Sequence, residues 1–158
     1  MSEGARILLL EDDQEMRNML ADILERHGYR VVRTGSAQEA IDAALRETFD
    51  LVVTDIRMEG MSGLDALQEV KQHQPDLASL VVTGYSTEAD SIRAIRLGVG
   101  DYLKKPFKMN TFVDSVNRLV VKSGQAVQEA RREACARRTL VWALDLAAGP
   151  AFRDVLQL

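Results

Sequence analysis

The chain has 158 residues, enough for one domain of ordinary size with a single hydrophobic core. Hydrophobic residues make up 46% and charged residues 28% of it, a balance that excludes a disordered chain. No apolar run approaches the roughly 20 residues of a membrane-spanning helix, and the N-terminus lacks a basic-then-apolar signal pattern, so we expect a cytoplasmic protein with no membrane contact. The single cysteine, Cys135, excludes an internal disulfide bond and a CxxC metal or redox site.

Charge is unevenly distributed along the chain. Residues 1–121 hold 14 Lys and Arg against 20 Asp and Glu, a net charge of −6, whereas residues 122–158 hold 6 against 4, a net charge of +2. Because a polyanion needs a basic surface, the acidic body predicts no direct nucleic-acid binding. Residues 125–147 of this segment include four arginines without interleaved aromatic residues, a pattern more typical of a solvated helix face: Arg131, Arg132, Arg137 and Arg138.

Short apolar runs alternate with segments of helical spacing. Continuous apolar runs predict strands buried on both faces of a parallel sheet, at residues 6–10, 30–33, 51–54, 80–83 and 102–103. Between and after them, apolar residues recur every three or four positions, which predicts helices around residues 16–27, 37–45, 64–70, 92–96 and 110–122. This repeat indicates an α/β fold in which a strand–helix unit occurs five times and helices cover both faces of the sheet.

Residues at the ends of these segments agree with their assignment. Ser36 and Glu39 have the spacing of a capping box at the start of the second helix. Gly28 and Gly98 come just after helix ends, and Pro75 stops the third helix.

Polar side chains follow the predicted strands at one end of the sheet, where ligands of parallel sheets bind. The residues at these strand ends are Glu11, Asp12, Asp13, Asp55, Thr83, Gly84 and Lys105. Taken singly, the acidic triplet is typical of a helix N-cap and Asp55 of a turn. Their common position at the ends of successive strands favours a joint site.

Clustered carboxylates at such an edge favour binding of a cation, because each close pair repels by about 4 kcal/mol at an effective dielectric constant of 20 and a cation offsets this repulsion. A site with only oxygen ligands indicates Mg²⁺. A carboxylate can also attack phosphorus and form an aspartyl phosphate, while a metal, a lysine and a hydroxyl neutralise the phosphoryl oxygens. The residue types therefore suit capture of a phosphoryl group.

Four motifs in order carry a family resemblance: ILLLEDD, LVVTDIRMEGMSG, VVTGYS and DYLKKPF. Asp55 lies 43 positions after Asp12, Thr83 lies 28 after Asp55, and Tyr102 precedes Lys105 by three. From about residue 6 to residue 121 the sequence resembles the receiver domain of two-component response regulators. The resemblance implies a doubly wound, flavodoxin-like sheet with strand order 2-1-3-4-5 and a cis peptide bond before Pro106.

The resemblance also implies a function. A sensor histidine kinase would transfer a phosphoryl group to Asp55 with Mg²⁺ as cofactor, and the domain would act as a switch that catalyses only its own phosphorylation and dephosphorylation. Glu11, Asp12, Asp55 and the backbone carbonyl of Arg57 would bind the metal. One departure from the family pattern is Glu59, which stands where the family usually has proline.

Other positions would bind or sense the phosphoryl group. The resemblance assigns the Thr83 hydroxyl and the Lys105 ammonium to phosphoryl oxygens. Thr83 and Tyr102 would form a switch that reshapes the face made by the fourth helix, fifth strand and fifth helix. Arg57 and Tyr85, two residues after Asp55 and Thr83, would overhang the site and slow dephosphorylation by obstructing water.

One alternative with a similar α/β fold is a Mg²⁺-dependent phosphatase that works through an aspartyl phosphate. Such an enzyme needs a second acid two residues after its nucleophile, where this chain has Arg57. Steady turnover of a phosphomonoester would distinguish it from a switch.

The C-terminal part is expected to be separate from the receiver. We predict a receiver domain at residues 1–122 and, at residues 123–158, a helical extension or a linker to a missing output domain. Residues 125–147 predict one helix, which Gly149 and Pro150 would end. This helix would have an apolar run that is too apolar to stay exposed, so it packs either in a homodimer that also involves the fifth helix or on the chain's own body. The run consists of Leu140, Val141, Trp142, Leu144 and Leu146.

Overall fold

The computed structural model describes residues 4–148, with the side chains of residues 4–126, 128–138 and 140. Strands and helices alternate five times in this range. The strands are β1 (Arg6–Leu10), β2 (Arg30–Thr34), β3 (Leu51–Thr54), β4 (Ala78–Thr83) and β5 (Asp101–Lys104). The helices are α1 (Gln14–Arg26), α2 (Ala37–Arg46), α3 (Gly63–His73), α4 (Glu88–Arg96) and α5 (Met109–Ala148).

All strand pairs are parallel and the sheet has the order β2-β1-β3-β4-β5, which confirms the predicted topology. The register places the carboxyl ends of the strands side by side. Leu10 lies opposite both Thr34 and Thr54, and Thr83 lies opposite Lys104. The residues that follow these strands therefore meet at one edge of the sheet.

Two hydrophobic clusters lie on opposite faces of the sheet because successive side chains of a strand alternate between faces. Ile7 and Leu9 of β1 belong to a cluster with residues of α1 and α5, such as Phe112. Leu8 and Leu10 belong to a second cluster with residues of α2 and α3. The central strands β1 and β3 are buried almost throughout, as their continuous apolar runs predict.

Several local features differ from the predictions. Strands β2, β4 and β5 extend one or two residues beyond the predicted ends. Ser36 caps α2 by accepting a hydrogen bond from the Glu39 backbone, but the Glu39 carboxylate accepts from Gly35 rather than closing a capping box.

Other local features agree with the predictions. Gly28 and Gly98 follow their helices with φ of +88° and +72°, as expected for such ends. The Lys105–Pro106 peptide bond is cis.

The two helices predicted at residues 110–122 and 125–147 are one helix, α5. Gly124 is a weak helix former but has a normal backbone N–H, so it lowers the stability of the helix by about 1 kcal/mol without interrupting its hydrogen bonds. The predicted stop at Gly149 and Pro150 lies outside the described residues. By compactness the chain divides into two units, residues 1–123 and 124–158.

Helix α4 differs from the other helices in how little of it is buried. Ala94 is its only buried residue, and Ile92 and Ile95 are 44% and 78% exposed. Among the described helices, none is both long enough and apolar enough to cross a membrane.

Candidate functional site

The centre of the site is a lysine held between two buried carboxylates. The Nζ of Lys105 donates to Asp55 Oδ2 at 2.8 Å and to Glu11 Oε2 at 3.0 Å. Glu11 follows β1, Asp55 follows β3 and Lys105 follows β5, so three strand ends supply the group. Glu11 is 2% exposed and Asp55 is 6% exposed. The structure thus brings together three residues that lie up to 94 positions apart in the sequence.

Two carboxylates share one ammonium here, so the group has a formal charge of −1 when all three are ionised. Burial raises the pKa of the Glu11 carboxyl, although Lys105 opposes this shift. Burial alone would lower the pKa of Lys105, but its hydrogen bonds to Asp55 and Glu11 raise it overall. The lysine is therefore charged at neutral pH, and the surplus negative charge favours binding of a cation.

Asp12 and Asp13 have different environments although they are adjacent. Asp13 is the N-cap of α1, where its Oδ1 accepts a hydrogen bond from Met16 N at 2.8 Å. Asp12 is exposed, and its Oδ2 accepts from Glu59 N at 3.3 Å. A proline at position 59 would have no N–H for this bond. The departure at Glu59 therefore adds a tie between the loop after β3 and the acidic segment after β1.

The residues fit a hard divalent cation by their chemistry. Glu11, Asp12 and Asp55 offer only oxygen ligands, and the Glu11–Asp55–Lys105 group lacks one positive charge. Among residues 4–148, however, no three carboxylate, imidazole or thiol side chains already form a closed metal cluster. Lys105 lies between two of these carboxylates, and the third, Asp12, accepts a hydrogen bond from the Glu59 backbone.

The Asp55 carboxylate is oriented by its own loop. Its Oδ1 accepts a hydrogen bond from Arg57 N at 3.2 Å, opposite the oxygen that contacts Lys105. Helix α3 begins close behind it, since a Cβ added at Gly63 would lie 1.6 Å from the Asp55 carbonyl oxygen. Any larger residue at position 63 would displace the loop that holds Asp55.

Thr83 ends β4, the strand next to the one that Asp55 follows, and Tyr102 lies on β5, one strand farther along the sheet. The buried Thr83 hydroxyl donates to the Tyr85 carbonyl at 2.9 Å. Tyr102 packs against a small cluster that includes Ile56 and Ala94. Its hydroxyl is buried without a hydrogen-bond partner among the described residues.

The Arg57 side chain extends towards α4. One guanidinium nitrogen donates to Asp90 Oδ2 at 2.8 Å, and the guanidinium carbon lies 5.4 Å from the centre of the Tyr85 ring. Asp90 also completes a capping box with Thr87 at the start of α4. Asp90 is not among the site residues predicted from the sequence, although the Thr-x-x-Asp spacing at residues 87–90 is a capping-box signal.

Comparison with known proteins identifies the family. The model of the response regulator receiver domain matches residues 7–117. The chain belongs to this family. The motifs, the fold and the position of the acidic site agree with it.

One relative by sequence and two solved structures show the extent of the similarity. The response regulator protein FleR of Pseudomonas aeruginosa is 38% identical over 115 residues, which are 73% of this chain and 24% of FleR. A CheY-like receiver domain from Methanospirillum hungatei superimposes with a TM-score of 0.76 at 25% identity, covering 78% of this chain and 98% of that one. The response regulator TrrA of Thermotoga maritima, solved in complex with Mg²⁺ and BeF, has a TM-score of 0.66 at 27% identity, covering 73% and 98%.

These similarities give no support to the alternative of an aspartyl-phosphate phosphatase. The matched proteins are response regulators, and the position two residues after Asp55, where such a phosphatase needs a second acid, holds Arg57. The receiver family acts as a signalling switch. This chain spans about a quarter of the length of FleR.

Proposed function

We propose that Asp55 accepts a phosphoryl group from a sensor histidine kinase and that the domain thereby switches an output or partner. The observation that carries this proposal is the position of Lys105, which donates to Asp55 at 2.8 Å from the end of a different strand. An ammonium placed there can bind a phosphoryl oxygen once the carboxylate has been modified. Burial of Asp55 limits competing water around the reacting oxygen.

The transfer would be an in-line displacement at phosphorus. An oxygen of Asp55 forms the new P–O bond while the P–N bond of the donor phosphohistidine breaks, and the electron pair of that bond leaves with the donor imidazole. Lys105 and the Thr83 hydroxyl would then bind phosphoryl oxygens. Glu11, Asp12, Asp55 and the Arg57 carbonyl would hold Mg²⁺, which supplies positive charge that neutralises the phosphoryl group.

The donor would approach beside Lys105. An open groove of about 400 Å³ lies there, lined by Met16, Lys105, Pro106, Phe107 and Met109. Methionines and a phenylalanine suit an apolar helix surface, because thioether side chains adapt to the shape of a partner. We propose that the phosphohistidine-bearing part of the kinase occupies this groove.

Phosphodonor labelling tests the proposal. Treatment with acetyl phosphate and Mg²⁺ should add one phosphoryl mass to the intact protein, and omission of Mg²⁺ should prevent it, because the carboxylates repel an anion until a cation neutralises them. Asp55→Asn should abolish the added mass. Asp76→Asn is the matched control, since Asp76 is an exposed carboxylate in the turn after α3 and should leave labelling unchanged. Equal labelling of the Asp55 variant would overturn the assignment.

Phosphorylation would change the α4–β5–α5 face. Thr83 would exchange the Tyr85 carbonyl for a phosphoryl oxygen, which alters the loop between β4 and α4. Tyr102 packs against a cluster that includes Ala94 of α4, so a shift of α4 would change the surroundings of Tyr102. We propose Thr83 and Tyr102 as the pair that transmits the change.

Arg57 and Tyr85 would set the lifetime of the phosphorylated state. The Arg57 guanidinium carbon lies over the Tyr85 ring, 5.4 Å from its centre, so the two side chains pack together. They would obstruct the water that must attack phosphorus in line. Replacing Arg57 with Asn and Tyr85 with Ala should speed decay about tenfold, equivalent to about 1.4 kcal/mol of barrier. Loss of phosphoprotein after removal of the donor measures this, and an unchanged decay would contradict it.

We further propose that the receiver comprises residues 1–122 and that residues 123–158 form a helical extension or linker. The matched family region ends at residue 117 and the second compact unit begins at Gly124, which support this division. The extension is also the proposed site of homodimer formation.

A further inference from the structure

Three polar contacts, one hydrogen bond and two ion pairs, attach helix α4 to the rest of the domain. These contacts are the polar ties of α4. At its C-terminal end, Lys71 Nζ of α3 donates to the carbonyl of Leu97 at 2.6 Å. Near its middle, Arg93 pairs with Asp65 of α3 at 2.5 Å. At its first turn, Asp90 pairs with Arg57 at 2.8 Å. Ala94 is the only buried residue of α4, so the helix has little apolar packing besides these ties.

The tie at the first turn differs from the other two because it ends at the loop that carries Asp55. Arg57 contacts the candidate site with its backbone and α4 with its side chain: its N–H donates to Asp55 Oδ1 at 3.2 Å and its guanidinium donates to Asp90. The other two ties connect α4 to helix α3 and not to this loop. Among the described residues, Arg57 is therefore the ion-pair link between the acceptor loop and α4.

We propose that Arg57 exchanges Asp90 for the phosphoryl group when Asp55 is modified, so that Asp90 acts as a positioning residue that couples the site to the first turn of α4. This inference rests on the proposed function of Asp55. In the unmodified protein the Asp90 carboxylate holds the guanidinium beside Tyr85. In the modified protein the guanidinium leaves Asp90, and the first turn of α4 loses its tie to the acceptor loop.

The charges involved favour such an exchange. The Arg57 side chain is 51% exposed, and ion pairs at exposed positions are weak, so little free energy opposes its release. A phosphoryl group carries more negative charge than a carboxylate and accepts paired hydrogen bonds from a guanidinium. The side chain needs only a new rotamer, because the backbone of Arg57 already contacts Asp55.

Release at one end would leave the other end of α4 in place. Lys71 also contacts the carbonyl of Gly98 at 3.3 Å, so the C-terminal end of the helix stays attached to α3. The capping box of Thr87 and Asp90 is internal to the helix and persists without Arg57. The first turn of α4 therefore becomes more mobile as an intact helical turn.

Asp90→Asn isolates the ion pair from the cap. An asparagine side chain retains an oxygen that accepts from Thr87 N but loses the charge that holds Arg57. Glu88→Gln is the matched control, since Glu88 is exposed in the same helical turn and its replacement changes the charge equally. Beryllofluoride with Mg²⁺, as a stable mimic of the phosphoryl group, serves as the probe.

Two measurements test the proposal on the full chain. In ¹⁹F NMR titrations, Asp90→Asn should bind beryllofluoride about two- to fivefold more tightly than the wild type or Glu88→Gln, because binding no longer breaks an ion pair. In hydrogen-exchange mass spectrometry, the first turn of α4 should exchange faster in ligand-free Asp90→Asn and in Arg57→Met. Beryllofluoride should accelerate this exchange in the wild type but not in Arg57→Met.

The outcomes separate the two proposals. If the wild type binds beryllofluoride and Asp90→Asn matches Glu88→Gln in both affinity and exchange, the coupling is wrong while the function of Asp55 stands. If the wild type does not bind beryllofluoride and acetyl phosphate adds no mass, the proposed function of Asp55 fails. The proposed change of partner by Arg57 then fails with it. An unchanged rate of hydrogen exchange in ligand-free Arg57→Met would show that the Arg57–Asp90 ion pair does not hold the first turn of α4.

Discussion

Lys105 has two roles in the ligand-free protein, because it neutralises Glu11 and Asp55 and holds their loops together. Lys105→Ala leaves two buried carboxylates close together without a counter-charge. We expect the free energy of unfolding to fall by about 1–3 kcal/mol without Mg²⁺. Addition of Mg²⁺ should restore more stability in the variant than in the wild type, because the cation takes over the neutralising role. Urea denaturation with and without Mg²⁺ measures both effects.

The neighbouring Lys104 provides the control for Lys105. It is exposed, so Lys104→Ala should change neither the stability nor its response to Mg²⁺. The Lys105 variant should still bind metal but lose the phosphorylation-dependent change, since we propose that Lys105 binds the phosphoryl group and not the metal. An equal gain of stability from Mg²⁺ in variant and wild type would contradict this view of the site.

Tyr102 and Tyr29 form a natural pair for testing the buried hydroxyl. The Tyr102 hydroxyl is buried without a described partner, whereas the Tyr29 hydroxyl donates to Asn117. Tyr102→Phe should leave stability unchanged or raise it by up to about 1 kcal/mol, because an unsatisfied polar group is removed from the core. Tyr29→Phe should lower stability by about 0.5–1.5 kcal/mol. Thermal or urea unfolding distinguishes them, and a clear loss of stability in Tyr102→Phe would show that its hydroxyl has a partner.

The residues of the site differ in how far the sequence reveals them. The sequence places Glu11, Asp55 and Lys105 at one edge, because each directly follows a strand and parallel strands end together. The contact between Arg57 and Asp90 is different, since it spans 33 positions and depends on where α4 lies. The bond from Glu59 N to Asp12 also follows from the path of a loop, which residue patterns do not specify.

At the scale of elements, strands were more predictable than helix environments. Leu51–Thr54 is buried throughout because both faces of the sheet are covered, and a short, mostly apolar run of this kind between turn residues is typical of a central parallel strand. In α4, by contrast, Ile92 and Ile95 have the spacing of a buried face but are exposed. Spacing identifies a helix, but the number of neighbours decides which of its faces is buried.

The polar ties of α4 predict a dependence of stability on acid. The pKa of Asp65 is lowered chiefly by its hydrogen bond from Arg93, and that of Asp90 chiefly by the backbone of Thr87. A lowered pKa in the folded state contributes stability above the ordinary Asp pKa of about 3.9, and this stability is lost as pH falls through the folded-state value. The free energy of unfolding should therefore decrease from pH 5 to pH 3.

Asp65→Asn should lower the stability at pH 6 and make this acid dependence shallower, because the asparagine has no charge to lose. Asp114→Asn is the control, since Asp114 is exposed on α5 and should leave the slope unchanged. Urea denaturation at pH 6, 5, 4 and 3 provides the comparison. Identical slopes for the wild type and Asp65→Asn would show that the tie to Arg93 contributes nothing to stability.

At the scale of the whole molecule, the extension raises the question of self-association. Leu140 is 61% exposed in the single chain and is the first residue of the apolar run that ends at Leu146 and is interrupted by Asp145. A leucine removed from water contributes about 1.5–3 kcal/mol, so several in one helix favour a partner surface. A second copy of the chain presents the same run and can bury it symmetrically.

A homodimer predicts that the molar mass depends on the extension. Light scattering on the full chain should give twice the monomer mass at high concentration, while a chain ending at Ser123 should remain monomeric. Leu140→Glu should raise the dimer dissociation constant at least about tenfold, because it places a charge where a leucine was buried. Gln128→Glu introduces the same charge at an exposed position of the same helix and should leave the constant nearly unchanged. If the full chain and the shortened chain are both monomers, the extension does not drive dimerisation. A loss of thermal stability in Leu140→Glu without any change of mass would then indicate that the apolar run packs on its own chain.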